Sequence, residues 1–275
     1  MPFRDILVHV DEGKSCESRL AVAARLAAAH QARLTGLFTR LLPRLPGYVS
    51  AQLGPEVQLM QDKYAREVAA RAQEAFNKAA GLAGVSTEWR VAEGDAIEAV
   101  ALHTRYADLV VVGQTDPDSE DQSRLADHLV LDAGRPVLVV PYVGRYETMG
   151  RKVIVAWNAS REATRAVNDA MPFLQAAEKV TVLAINPTGG PGGHGDVPGA
   201  DICLHLARHG VKAEAAYLKA EDIDVGNMLL SRIADEDADL LVMGAYGRSR
   251  LREIVLGGAT RHILDHMTVP VLMSH

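Results

Sequence analysis

Four glycines near the C-terminal end of the chain have a spacing that could hold a phosphate group. Gly244 and Gly247 follow an apolar strand, and Gly257 and Gly258 come just before a stretch of helical pattern. Glycine adopts backbone conformations that a side chain forbids and lets the backbone approach a ligand closely. The first N–H groups of a helix attract an anion, because they lack partners within the helix and lie at the positive end of its dipole. The segment therefore predicts a phosphate-binding loop.

Side chains around these glycines could add a hydrogen-bond donor and positive charge. Thr260 carries a hydroxyl two residues after Gly258, and Arg248, Arg250 and Arg252 alternate within the loop. The alternative is an ordinary strand-to-helix turn whose arginines form a solvated surface. For the arginines taken alone, both interpretations stay open.

The composition excludes several classes of protein. With 29 Lys plus Arg against 35 Asp plus Glu, the net charge of −6 gives no overall basic field to hold nucleic acid or an anionic membrane. No apolar run approaches the roughly 18 residues of a membrane helix, and charged residues interrupt any signal sequence at the N-terminus. Cys16 and Cys203 are too few and too far apart for the disulfide framework of a secreted protein. We expect a globular, cytoplasmic protein whose anion site is local to one loop.

The same succession of segments occurs twice along the chain. Similar apolar strands stand at 6–10 and 153–157, at 108–113 and 239–244, and at 135–141 and 269–275. Because their order is the same in both halves, we interpret the chain as a duplication. The linker is 143–150, which gives one domain at 1–143 and a second at 151–275.

Within each half, apolar strands alternate with segments of helical periodicity. Short uncharged strands between helices are typical of a parallel sheet covered on both faces. The irregular stretches 41–55 and 186–199 follow the second strand of each half, at the edge where such sheets bind ligands, so both are candidate lids. The predicted helices are 18–29, 56–80, 95–106, 161–175, 200–209, 225–235 and 261–267, and further strands are 33–39, 87–91, 180–185 and 213–218.

The loop spacing, G-x2-G-x9-G followed by a small residue and Thr, resembles the ATP-binding signature of the universal stress protein family. The resemblance covers the whole chain as two tandem copies. Each half also has the family's opening strand, VHVDEG at 8–13 and VAWNAS at 155–160, and its closing P-V-L strand. It implies an α/β fold of two tandem doubly wound, five-stranded parallel-sheet domains, Rossmann-like and of the adenine nucleotide alpha hydrolase-like type. It also implies ATP or AMP across the carboxyl edge of a sheet, with or without magnesium.

The resemblance assigns an adenine nucleotide site to the second half. Asn158 stands where the family usually has an aspartate near the nucleoside, so it can bond a hydroxyl but brings no charge. Ile185 stands where main-chain groups usually meet adenine, and Gly258 replaces a Ser or Thr that would donate to phosphate. The residues carried over as nucleotide-binding are Asn158, Ile185, Gly244, Gly247, Arg248, Gly257, Gly258, Ala259 and Thr260.

The first half departs from this pattern, although it keeps Asp11. Counted back from the closing strand, Ser123 and Arg124 stand where the second half has its glycine pair. Four acidic residues within 116–121 would repel a triphosphate, at about 1 kcal/mol for each charge pair about 4 Å apart in water. The sequence therefore predicts that this half does not bind ATP.

Two functions from different classes fit the second-half site. The first is a nucleotide-dependent regulator of the stress response, which needs no catalytic base. The second is a slow ATP hydrolase or a nucleotidyl-transferring enzyme, which needs a base and usually a metal ligand, where the loop offers only Glu253. No P-loop, nucleophile elbow or zinc-protease motif occurs, so the sequence favours a regulator with at most weak ATPase activity. A binding module for another small molecule in the first half is a third alternative.

Two pairs of histidines have the spacing of metal ligands on a helix. His205 and His209 stand four residues apart, as do His262 and His266. Neither pair has acidic or cysteine partners at a fixed spacing, so we interpret both as helix-surface residues and predict no metal site.

The closing strands predict how the two halves assemble. In the resembled family these edge strands pair two subunits, and here strand 136–140 can pair with strand 270–274 of the same chain. Such pairing would protect both strand edges. We expect an intramolecular pseudo-dimer, and a homodimer of chains stays open.

Overall fold

The two halves of the chain fold into strands and helices in a similar order. The computed structural model describes residues 2–40, 47–119, 123–187, 197–219, 223–246 and 258–275, and over 47–58 only the backbone. The first half contains β1 (Asp5–Val10), α1 (Cys16–His30), β2 (Arg33–Arg40), α2 (Gly47–Ala83), β3 (Thr87–Glu93), α3 (Ala96–Thr104), β4 (Leu109–Gly113), α4 (Leu125–Asp132) and β5 (Val137–Val140). The second contains β6 (Lys152–Ala156), α5 (Arg161–Asp169), α6 (Met171–Ala176), β7 (Lys179–Ile185), α7 (Ala200–Arg208), β8 (Ala213–Leu218), α8 (Val225–Glu236), β9 (Leu240–Gly244), α9 (Gly258–His266) and β10 (Val271–Ser274).

The ten strands of the described residues form one sheet in the order β3-β2-β1-β4-β5-β10-β9-β6-β7-β8. Strands within a half are parallel, and the halves meet where β5 and β10 pair antiparallel, from Val137↔Met273 to Val139↔Val271. This is the predicted α/β fold of two tandem, doubly wound, five-stranded parallel sheets. The strand order reverses between β1 and β4 and again between β6 and β9, and such a reversal is where doubly wound sheets bind ligands.

Helices cover both faces of this sheet. Apolar residues of α1, α2, α5, α6 and α7 pack on one face, and those of α3, α4, α8 and α9 pack on the other. In β1, Ile6 and Val8 belong to the first layer and Leu7 to the second. Strands buried on both faces are apolar at every position, and this explains why the sequence shows them as continuous runs. Within the described ranges, no helix has the length and apolar character that a membrane crossing needs.

Two helices differ from those that the sequence pattern predicts. The predicted helix 161–175 is divided into α5 and α6 at Ala170, because Pro172 has no N–H to donate to the preceding turn. The predicted helix 56–80 begins at Gly47 instead, so part of the stretch interpreted as an irregular lid is helical. The rest of that stretch, 41–46, lies outside the described residues.

An aromatic cluster holds α2 against the outer strands of the first half. The ring centroids of Phe76 and Trp89 lie 5.4 Å apart, and those of Phe38 and Trp89 lie 6.3 Å apart. Gly36 of β2 lies beneath them, where a Cβ atom would stand 2.8 Å from Cδ2 of Phe76 and 2.9 Å from Cε3 of Trp89. The missing side chain therefore makes room for the rings.

We predict that Gly36→Ala destabilises the protein, because the buried rings must move to admit a methyl group. Overpacking of this kind costs about 1–3 kcal/mol. Gly81→Ala is the matched control, since a Cβ at this position of α2 meets nothing within 4 Å and alanine favours a helix by up to about 1 kcal/mol. Urea denaturation measures both free energies of unfolding. A Gly36→Ala protein as stable as the wild type would contradict the packing argument.

Candidate functional site

Three of the residues that the sequence assigns to a nucleotide lie at one edge of the second half. Gly244 ends β9, Ile185 ends β7, and Asn158 follows β6 by two residues. Parallel strands all end at the same edge of a sheet, and β6 lies between β9 and β7. The structure therefore brings these three positions to the carboxyl edge, beside the switch point between β6 and β9.

A tight turn presents the Asn158 side chain at this edge. Its Oδ1 accepts a hydrogen bond of 3.1 Å from the N–H of Ser160. The Ser160 hydroxyl in turn accepts a 3.1 Å hydrogen bond from the N–H of Ala163 and caps α5. Asn158 is exposed and lies directly before Ala159, which has a left-handed φ of 55°. The hydrogen bond to Oδ1 thus holds the Asn158 side-chain amide at the edge of the sheet.

Ile185 contributes backbone and a half-buried side chain at the neighbouring strand end. It pairs with Leu218 of β8, and the N–H of Asn186 donates to the Leu218 carbonyl at 2.9 Å. Asn186 has a φ of 49°, so the chain turns away from the sheet immediately after the strand. Of the candidate lid that follows, residues 188–196 lie outside the described residues.

The beginning of the glycine loop is fixed between α5 and α9. Gly244 needs to be glycine for packing, because a Cβ there would collide with the backbone of Glu162 and Ala163 in the first turn of α5. Two residues later Tyr246 has a φ of 59°, and its N–H donates to the Thr260 hydroxyl oxygen at 3.4 Å. Thr260 is 4% exposed, so its side chain connects the loop to α9 from inside the protein.

The first turn of α9 begins without a side chain. Gly258 is exposed and Ala259 half-buried, and a Cβ placed on Gly258 would meet no described atom within 4 Å. Gly247, Arg248 and Gly257 lie outside the described residues, as do the other loop arginines and Glu253.

The glycine loop also contacts the first half, which the sequence pattern does not reveal. The Tyr246 hydroxyl donates to the Asp127 carbonyl of α4 at 3.3 Å. Burial, and then the Asp127 carboxylate, raise the pKa of Tyr246 well above its ordinary value. Nearby, Arg124 contacts Asp127 at 2.9 Å and Asp265 of α9 at 2.8 Å. Tyr246 and Asp127 are more than 100 positions apart in sequence, as are Arg124 and Asp265, so no local signal could have identified these two contacts between the halves.

The equivalent edge of the first half is occupied by a buried arginine. Arg19 is 2% exposed, its Nε donates to the His9 carbonyl at 2.8 Å, and its Nη2 lies 2.8 Å from Oδ2 of Asp11. Oδ1 of Asp11 accepts from the N–H of Gly13 at 2.9 Å, as Asn158 does from its own turn. The sequence analysis missed Arg19, which on an alanine-rich helix has the pattern of a surface residue.

The ion pair sets the protonation state of Asp11. Partial burial alone would raise its pKa, but the Arg19 guanidinium, followed by His9 and the Gly13 N–H, holds the pKa below its ordinary value. For Arg19, burial alone would lower the pKa, and the Asp11 carboxylate reverses that effect. At neutral pH the pair is therefore fully charged.

The histidine pairs form ring contacts rather than a ligand cluster. The ring centroids of His205 and His209 lie 4.7 Å apart, and those of His262 and His266 lie 4.5 Å apart. Among the described residues, no group of three or more His, Cys, Asp or Glu side chains is arranged to hold a metal ion. Cys16 and Cys203 are free, and burial raises the pKa of each thiol.

Comparison with known proteins gives one family. The model described as "Universal stress protein family" matches twice, over residues 2–141 and 149–275. A universal stress protein structure from Archaeoglobus fulgidus is 14% identical with a TM-score of 0.76, over 98% of this chain and 95% of that one. A putative universal stress protein from Pseudomonas aeruginosa is 17% identical with a TM-score of 0.57, over 99% and 93%. At these identities the two structures show the shared fold alone. Among curated proteins, none matches the chain.

We predict that Asp11→Asn lowers stability at neutral pH and that this loss disappears in acid. Asparagine keeps the turn to Gly13 but leaves Arg19 without its anion. Breaking a buried pair costs about 3–5 kcal/mol, and we expect about 2 kcal/mol because the Asp11 side chain is 35% exposed. A carboxylate with a lowered folded pKa stabilises the fold above its unfolded pKa of about 3.9, and the contribution is lost as the pH falls through the folded value.

Urea denaturation of both proteins from about pH 7 down to about pH 3 tests this linkage. The stability difference should be largest at neutral pH and should shrink below about pH 4. A difference that stays constant, or that widens in acid, would contradict the assigned role of Asp11.

Proposed function

The chain belongs to the universal stress protein family, and we propose that its second half binds ATP or AMP, with or without magnesium. We propose further that nucleotide occupancy makes the protein a regulator of the stress response in the cytoplasm. The observation that supports this most directly is the first turn of α9 at the carboxyl edge, where a Cβ on Gly258 would meet no described atom within 4 Å.

The phosphate end of the site rests on α9. The dipole of α9 and the N–H groups of its first turn favour an anion, and no described atom occupies the space beside Gly258. The Thr260 hydroxyl accepts a hydrogen bond from the N–H of Tyr246, so the first residues of the glycine loop are held against α9. The net charge of −6 repels an anionic ligand overall, so the attraction for phosphate comes from the first turn of α9.

The nucleoside end rests on the neighbouring strands. The exposed Asn158 amide can donate to or accept from a ribose hydroxyl, since only its Oδ1 is engaged by the turn. Backbone groups at Ile185, where β7 ends, are suited to the polar edge of adenine. Both positions border the crevice in which doubly wound sheets bind dinucleotides and mononucleotides.

A regulatory role is supported by the contacts between the loop and the first half. Tyr246 bonds the backbone of α4, and Asp265 of α9 is paired with Arg124. A nucleotide that moves the loop or α9 would therefore change contacts at the junction of the halves. Such a change supplies the differential contacts between bound and free states that regulation requires.

We predict that Gly258→Glu weakens ATP binding at least tenfold, because its carboxylate would stand among the phosphates. A tenfold change corresponds to about 1.4 kcal/mol. The variant should still fold, since no described atom lies within 4 Å of the added Cβ and an acidic residue in the first turn of a helix is favourable. Gly258→Gln is the matched control, with the same size and no charge, and should bind much more tightly than Gly258→Glu. Calorimetric titration with ATP, and with adenosine as the phosphate-free reference, measures the effect.

Equal ATP affinities for the Glu and Gln variants would contradict the proposal that the phosphates bind beside Gly258. The same titrations report stoichiometry, which should be one ATP per chain. Assaying the wild-type samples for released phosphate separates the two functional classes, because a regulator binds without turnover and a hydrolase releases phosphate with time.

A further inference from the structure

The buried arginine of the first half has an alanine as its counterpart in the second. Arg19 and Ala166 each lie eleven residues after a valine of the first strand of their half, Val8 and Val155. These two valines pair with equivalent positions of β4 and β9, so the halves can be compared in register. The same count places Asp11 opposite Asn158.

Arg19 lies where the strand order of the first half reverses. Its Nε bonds the carbonyl of His9 near the end of β1, and a Cβ on Gly113 at the end of β4 would collide with its guanidinium. The side chain therefore spans the two strand ends that border the switch point. In a doubly wound sheet this is the position at which a ligand binds.

Arg19 also engages the acidic side chain that a ligand would need. Asp11 lies at the edge, whereas the neighbouring Glu12 is paired with Arg71 of α2 at 3.0 Å. Oδ2 of Asp11 is paired with Arg19 at 2.8 Å. A hydroxyl that displaced Arg19 from this carboxylate would leave a guanidinium buried at 2% exposure without its anion. An uncompensated buried charge costs far more than one hydrogen bond returns.

In the part of the second half that the structure describes, the corresponding volume is filled by alanine side chains and by the backbone of α5. Ala166 is 1% exposed, and the first turn of α5 itself packs onto Gly244. Because α5 begins at Arg161, which corresponds to Lys14, its helix starts two residues earlier than α1. Asn158 consequently keeps its amide at the edge, and no arginine within the described ranges is paired with it.

We infer that Arg19 is the residue that excludes nucleosides from the first half, by occupying its crevice and neutralising Asp11. Arg19 is a specificity-determining residue that takes the place of a ligand, and the acidic residues of the following loop add repulsion only against phosphates. This inference rests on the proposed function, since it treats the first half as an adenine nucleoside site that has been closed.

Adenosine is the probe that isolates Arg19, because it carries no phosphate for Asp116 and Asp118 to repel. We expect Arg19→Ala, which installs the residue of the second half, to raise adenosine binding in the first half at least tenfold. Amide hydrogen exchange of the full chain locates the effect. Adenosine should protect residues 8–19 in Arg19→Ala and leave them unchanged in the wild type. In Arg19→Ala/Asp11→Ala that protection should be absent, because the acceptor oxygen is gone.

A folded Arg19→Ala protein without protection in the first half overturns the inference, as does protection that survives in the double variant. If Arg19→Ala does not fold, Arg19→Gln replaces it, because glutamine keeps an amide donor for the His9 carbonyl and frees Asp11. Missing protection in the first half of Arg19→Gln, or protection that survives when Asp11→Ala is added, then overturns the inference. Failure of the proposed function is separately visible in every variant, as missing protection at residues 155–166 with adenosine and in α9 with ATP.

Discussion

The antiparallel pairing of β5 with β10 is the interaction on which the two-part architecture depends. Val137 to Val140 and Val271 to Met273 are at most 1% exposed, so this junction is as buried as the centre of either half. Without it, each strand would present a row of unpaired N–H and carbonyl groups to solvent. Gln114 adds a hydrogen bond of 2.9 Å to the Leu264 carbonyl across the same junction. The helices that follow the two edge loops, α4 and α9, are thereby held side by side.

The same fold gives opposite electrostatic environments at its two carboxyl edges. In the second half, α9 begins at Gly258, where an added Cβ would meet no described atom within 4 Å. In the first half, the positive charge of Arg19 is neutralised by Asp11. The polar groups at this edge are therefore paired with each other inside the protein. Arg124, which replaces the glycine at the start of the helix, directs its charge to Asp127 and Asp265. In the first half, internal pairing thus satisfies groups at the position where doubly wound sheets bind ligands.

Much of this organisation could be predicted from the sequence, because parallel strands buried on both faces are continuous apolar runs. The glycine spacing likewise directed attention to Gly258 and Thr260. The division at Ala170 was missed because its cause, a single proline, is weaker than the surrounding helical pattern. Arg19 was missed for a different reason: its burial depends on Asp11 and on the end of β4, which are brought together only by folding. Placing the halves in register, with Ala166 opposite Arg19, is the one sequence signal that could have identified it.

The covalent connection between the halves has a consequence for how they could diverge. In a symmetric homodimer each substitution is present in both subunits, so a residue that closed one site would close its twin as well. A single chain lifts this restriction, and one copy can change while the other keeps its original side chain. The linker also holds the two closing strands at an effective concentration of about millimolar. Strands of only four residues each can therefore stay paired at protein concentrations where separate subunits would come apart.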